Sequence, residues 1–392
     1  MKPLDHIKTF HDELTAWRRD IHAHPELGFE EHRTSDLVAA RLEAFGCEVH
    51  RNVGGTGVVG VLRAGNAPQA IGLRADMDAL PILEANDVPY KSTREGVMHA
   101  CGHDGHTTML LGAARYLAET RNFSGTVHFI FQPAEEGLGG ARAMLKDDLF
   151  GRFPCDAVFG MHNQPGMPVG QFAIRPGTMM AGGAFFDIHI TGRGSHGARP
   201  QQSIDPVLTA CHITAALQSI VARNIDPLDT AVVSVTAVLG GDAYNVIPQT
   251  ASIRGTARTF KHATMTLIGE NMKRIATGVA AAFGATAEVD FRPLFAPLVN
   301  DPAETTAIAD VAAELVGEAH VNRNRELIVA SEDFSFMLEA VPGAYINIGN
   351  GDTTGSVPVH NPGYDFNDAI LPLGAAALAG IVEKKLAPLS GL

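Results

Sequence analysis

Nine residues, His99-Ala100-Cys101-Gly102-His103-Asp104-Gly105-His106-Thr107, hold three histidines, a cysteine and an aspartate. Imidazole, thiolate and carboxylate groups bind metals and carry protons, and each is costly to bury without a partner or a cation. A carboxylate pair follows in Phe131-Gln132-Pro133-Ala134-Glu135-Glu136-Gly137. Single donors then recur in similar Gly- and Pro-punctuated settings, His162 in Gly160-Met161-His162-Asn163 and His360 in Val359-His360-Asn361-Pro362. Donors spread this far along a chain read as a metal site assembled from several loops, and the chemistry of such a site is hydrolysis. Two adjacent carboxylates suit it, because one can face a metal while the other faces a water and takes its proton.

The elements needed to position these groups are legible in outline. Apolar spacing predicts helices over 5–23 and 31–45, and short strands at Val58 to Leu62 and Ala70 to Leu73. A helix is expected to start near Gly105 and run through Leu117, with the donor cluster in the loop before it. Val127 to Phe131 and Ala157 to Met161 read as strands. That places Glu135-Glu136 just past one carboxyl end and His162 at the tip of the other, where open α/β sheets build their sites. From Phe185 the rhythm becomes β-α-β-β-α-β: strands near 186–190, 231–239, 251–258 and 287–291, and helices over 205–221 and 264–282. A further helix over 302–316 and a strand at Tyr345–Ile348 close the chain. The fold class expected is therefore α/β: a catalytic domain of residues 1–184 and 298–392 with a mixed sheet, and an inserted ferredoxin-like α+β lid over 185–297.

Composition narrows the partners. The chain has 392 residues and a formal net charge of −13, so no basic stripe exists to neutralise phosphates and nucleic acid is excluded as a main partner. No apolar run reaches the roughly 18 residues that a membrane span needs. The N-terminal residues carry no leader-type apolar stretch, and the four cysteines form no CxxC pair, so a reducing cytoplasm is expected. Cys47, Cys155 and Cys211 read as core residues.

As a set, several segments closely resemble one family. They are Arg74-Ala75-Asp76-Met77-Asp78-Ala79-Leu80-Pro81, Met98–Thr107, Phe131–Gly137, Gly160–Asn163, Gly194-Ser195-His196-Gly197, Asn245-Val246-Ile247-Pro248, Ser331–Phe334 and His360-Asn361-Pro362. The family is the dinuclear metallo-amidohydrolases that include hippurate hydrolase, plant auxin-conjugate hydrolases and N-acyl-amino-acid amidohydrolases, related to aminoacylases and carboxypeptidase G-like peptidases. The resemblance implies that Cys101, His103, Glu136, His162 and His360 bind two divalent cations, with Cys101 bridging. Manganese or zinc is the expected metal, and nickel or cobalt also suit the donors. In the aminoacylase and carboxypeptidase branches an aspartate bridges and a His-x-Asp motif contributes. Here Asp76 stands at the motif's first position, so no ligand role is carried onto it, and Asp78 is assigned to orienting a histidine.

By the same resemblance Glu135 is the general base and His196 stabilises the oxyanion, reaching a partner subunit's site. Asn245 is a polar substrate contact. Arg258 is the candidate anchor for a substrate carboxylate, with Arg254 as its rival on the same strand face. The implied reaction is hydrolysis of an N-acyl amino acid, hippurate-like, by a homodimer or homotetramer joined through the lid. Dipeptide or carboxypeptidase cleavage by the same site is the alternative, and a non-catalytic metal- or ligand-binding protein the third. His99 and His106 read as capping or ligand-supporting residues, His22 and His24 as structural, and His212 and His320 as ordinary.

Overall fold

In the computed structural model, residues 2–388 are described. The chain forms two compact units: Met1–Met179 with Val299–Glu326 and Asp333–Leu392, and Met180–Leu298 with Leu327–Glu332.

The first unit opens with helices α1 (Pro3–Lys8), α2 (His11–Ala23) and α3 (His32–Ala44). The single helix expected over 5–23 is therefore two, because Thr9 closes the first and Phe10 leaves helical geometry at φ −121°, ψ 26°. Strands β1 (Glu48–Val53), β2 (Gly57–Ala64) and β3 (Ala70–Asp76) follow, then α4 (His103–Thr120), β4 (Gly125–Gln132), α5 (Gly140–Lys146), α6 (Leu149–Arg152), β5 (Ala157–Pro165) and β6 (Phe172–Ala173). The chain leaves through β7 (Gly177–Met180) and returns through β14 (Leu298–Asn300) to α9 (Pro302–Val316), β15 (Val321–Asn322), α10 (Ser335–Ala340), β16 (Gly343–Gly351) and α11 (Leu371–Lys385). Eight of these strands make one mixed sheet in the order β1-β2-β4-β3-β5-β16-β6-β15. Its four neighbouring strands β4, β3, β5 and β16 are parallel. Strand β3 is buried along its whole length, as a parallel strand covered on both faces must be. Helices α4 and α11 pack against each other and against β3, and their apolar residues join those of the strands in one core.

The second unit contains β8 (Gly182–Thr191), β9 (Ser195–His196), α7 (Pro206–Leu217), β10 (Ala231–Leu239), β11 (Val246–Ile247), β12 (Thr250–Thr259), α8 (His262–Ala282) and β13 (Thr286–Phe295). Its antiparallel sheet has the order β10-β12-β8-β13. With two helices on one face this is the ferredoxin-like arrangement that the β-α-β-β-α-β rhythm predicts. On β8, Ala184, Phe186, Ile188 and Ile190 alternate into the core beneath α7 and α8. Helix α7 is capped by Asp205, whose side chain accepts from the N–H groups of Val207 and Leu208. Of the cysteines read as core, Cys47 is buried and Cys155 partly so, but Cys211 lies on the exposed face of α7.

Candidate metal centre

Strand ends and one helix start bring the donors together. The parallel strands deliver Asp76 at the end of β3 and the Pro133–Glu136 turn just past β4. Strand β5 runs on to Pro165, so His162 lies within it rather than at its tip. Helix α4 begins at His103, two residues earlier than expected. His103, Asp104 and His106 thus sit in its first turn, and His99, Ala100, Cys101 and Gly102 precede it. Gly102 makes this possible: at φ +96° it turns the chain in the left-handed region, and a Cβ there would meet Asn163 Oδ1 at 2.4 Å. His360 also has a positive φ, and its N–H donates to Ala100 O at 2.7 Å, which joins the last donor loop to the first.

All five predicted ligands converge. Ligand atoms of Cys101, His103 and His162 lie within 4.8 Å of one another, as do those of Cys101, Glu136 and His360. The thiol is common to both triads. His162 Nε2 is 3.4 Å from Cys101 Sγ, and His360 Nε2 is 3.1 Å from Glu136 Oε1. Glu135 joins His103 and Glu136 in a third group of the same tightness.

The donor set fits divalent cations. His103 Nδ1 faces Asp78 O at 2.8 Å and Asp78 Oδ1 at 3.2 Å, both acceptors, so Nδ1 carries the proton and Nε2 offers its lone pair. His162 does the same through Asn163 O at 2.6 Å. His103 Nε2 is buried and has no hydrogen-bond partner among the described residues, which fits a nitrogen that offers its lone pair to a metal. Burial, together with Glu136 and Glu135, pushes the Cys101 thiol well up, so a thiolate there calls for added positive charge. Asp78 also accepts the Glu136 N–H at 2.9 Å, so one carboxylate orients a histidine and the acidic turn together.

Behind the donors lies a buried polar layer. Asp76 sits between His106 (Nδ1 to Oδ1, 2.6 Å) and Arg74 (Nη1 to Oδ2, 2.8 Å). Burial pushes its carboxyl up, but His103, His106 and Arg74 outweigh this and hold it well below the usual range. His106 Nε2 reaches Asn163 Oδ1 at 2.7 Å. His22 is buried between Asp104 (2.8 Å) and Glu84 (3.2 Å). Reading by residue type misses Arg74, Gln132, Asn163 and Asp333 as parts of this layer. Asp333 carries a visible sign, since Ser331–Phe334 matches the family without an assigned task.

His196, Asn245 and Arg258 belong to the second unit. Strands β9 and β11 pair His196 with Val246, beside Asn245, whose carbonyl accepts the Gly197 N–H at 2.7 Å. His196 Nδ1 accepts the Ala198 N–H at 3.0 Å, which leaves a protonated Nε2 free to donate. Arg254 is paired with Asp187 at 3.1 Å. Arg258 is half-buried, bonds only Thr256 Oγ1 and Ala257 O, and faces no carboxylate among the described residues.

Comparison with known proteins places the chain in a family. The family model described as "Peptidase family M20/M25/M40" matches residues 72–384. Hippurate hydrolase of Campylobacter jejuni subsp. jejuni serotype O:2 is 44% identical, covering 98% of this chain and 100% of that protein. N-acetylcysteine deacetylase of Bacillus subtilis is 39% identical, covering 96% and 98%. A solved Bacillus subtilis structure, a dinuclear metal-binding peptidase of the M20 family, superposes with a TM-score of 0.84 at 35% identity, covering 97% and 99%.

Proposed function

The chain belongs to peptidase family M20/M25/M40, and from that premise we propose that it hydrolyses the amide bond of N-acyl amino acids, hippurate-like, to a carboxylic acid and a free amino acid. The observation that carries this reading is the division of labour in the acidic turn. Glu136 shares a donor triad with Cys101 and His360, while Glu135, which also groups with His103 and Glu136 but not with the thiol, is held at Oε1 by the Asp333 N–H at 3.2 Å. A carboxylate so placed beside a ligand set is what a general base requires.

Cys101, His103, Glu136, His162 and His360 would hold two divalent cations, manganese or zinc, which when bound polarise the amide carbonyl and acidify the attacking water. Glu135 takes the water's proton and hands it to the leaving nitrogen. His196, donating from Nε2, stabilises the oxyanion, Asn245 adds a polar contact, and Arg258 anchors the free carboxylate.

The unit bearing His196 is assigned as the lid and as the dimerisation surface, supported by the exposed apolar side chains of Val238, Leu239, Tyr244 and Val246. A cytoplasmic location is supported by four unpaired cysteines.

Glu135→Gln tests the reading. Turnover of hippurate, followed as glycine release, should fall by about 10²–10⁴-fold, while metal content measured by plasma spectrometry stays at the wild-type level. Full activity in that variant would refute the base.

A further inference from the structure

We infer that Arg74 and Asp333 are positioning residues that lock the base Glu135 to the metal-facing histidines through one buried chain of hydrogen bonds. This rests on Glu135 being the base, as proposed above.

The chain can be followed atom by atom. The main-chain N–H of Asp333 donates to Glu135 Oε1 at 3.2 Å. The Asp333 carboxylate accepts from Gln132 Nε2 at 2.7 Å and Arg74 Nη2 at 3.3 Å on Oδ1, and from the Ala141 N–H at 2.9 Å on Oδ2. Arg74 Nε also donates to Gln132 Oε1 at 2.9 Å, and its Nη1 crosses to Asp76 Oδ2 at 2.8 Å. From Asp76 the path runs to His106 at 2.6 Å and on to Asn163 at 2.7 Å, whose carbonyl accepts from His162 Nδ1 at 2.6 Å. Asp76 Oδ2 also lies 3.8 Å from His103 Nε2. Arg74, Asp76, Gln132 and Asp333 are each no more than 1% exposed.

Stability does not explain such a layer. Each buried ion costs several kcal/mol to desolvate, and apolar packing of the same volume often does as well or better. A fully connected polar network instead fixes a single arrangement. Both ends of this one lie on groups that must be held in register. A base must sit within about 0.5 Å of its productive position, and a 1 Å misplacement can cost about 10²-fold.

The test is Asp333→Asn in the metal-loaded, full-length protein. It keeps the shape and the main-chain donor but removes the carboxylate charge that faces Arg74 Nη2. We expect kcat to fall by about 10²-fold with KM and metal content unchanged, and a crystal structure to show the Glu135 carboxylate displaced. In a Glu135→Asp background, where the base is already out of register, the same substitution should cost little further; equal losses in both backgrounds would overturn the inference. Should Asp333→Asn fail to fold, Gln132→Met takes its place: it removes the amide that bridges Arg74 Nε and Asp333 Oδ1 while the direct Arg74–Asp333 contact stays, so a smaller loss of kcat in the same direction is expected. Glu135 unmoved in the crystal also overturns the inference. A wild type inert towards every N-acyl amino acid would sink the proposed function instead, and because the crystallographic reading needs no turnover, the two failures are told apart.

Discussion

At the scale of single residues, the contrast between two arginines is a sharp guide to substrate recognition. Arg254 is already paired with Asp187, while burial lowers the Arg258 pKa and its charge faces no carboxylate among the described residues. A charged hydrogen bond is worth about 1.5–3 kcal/mol. Arg258→Met should therefore raise KM for hippurate by roughly 10–150-fold with a smaller change in kcat, and Arg254→Met should leave KM near wild type. Steady-state kinetics on both variants decides the matter, and equal effects would remove the assignment. The metal donors are legible in the sequence because their chemistry resides in residue type: a cysteine, three histidines and paired glutamates in Gly- and Pro-punctuated segments have few other uses. The role of Arg74 is not, because an arginine in a strand acquires meaning only from its partners, here Gln132 58 positions away and Asp333 259 positions away.

At the scale of elements, the first turn of α4 carries the strictest demand. Gly105 sits inside that helix, where alanine would ordinarily be favoured by about 1 kcal/mol. A Cβ at 105, however, would meet Phe366 Cε2 at 2.2 Å and Cζ at 2.3 Å, against a buried ring. Overpacking of this kind costs typically 1–3 kcal/mol, so the sign reverses. Gly105→Ala should lower the melting temperature in calorimetry and reduce metal content, since His103 and His106 flank the site of strain. An unchanged melting temperature would show that Phe366 can yield. Helix and strand identities follow from apolar periodicity, but their ends do not. Where β5 stops and α4 starts depends on pairing with β16 and on the left-handed turn at Gly102, neither of which is a periodic signal.

At the scale of the whole molecule, a buried ionic cluster binds the two ends of the chain. Arg18 of α2 holds Asp365 at 3.2 Å and Asp368 at 2.5 Å, and His22 of the same helix holds Asp104. Burial alone would lower the His22 pKa, but Asp104 and Glu84 outweigh it and raise it to about 9. The folded state therefore binds this proton more tightly than the unfolded chain, whose histidine titrates near 6.5. The resulting stability, of order 3 kcal/mol, is fully present below about pH 6.5 and is lost as pH rises through about 9. His22→Gln should flatten that alkaline fall in a series of denaturant midpoints; a wild-type slope in the variant would place the proton elsewhere.

The strand order β5-β16-β6 also has a consequence for how the chain is made. A ribosome releases β5 long before β16, so the middle of the large sheet stays an open slot until residue 351 has emerged. The ferredoxin-like sheet, by contrast, comes from one continuous stretch and is complete much earlier. Cys101 then waits 259 residues for His360, roughly tens of seconds of synthesis. A nascent chain therefore holds an incomplete set of ligands for that interval, and the five-donor site exists only once His360 has emerged.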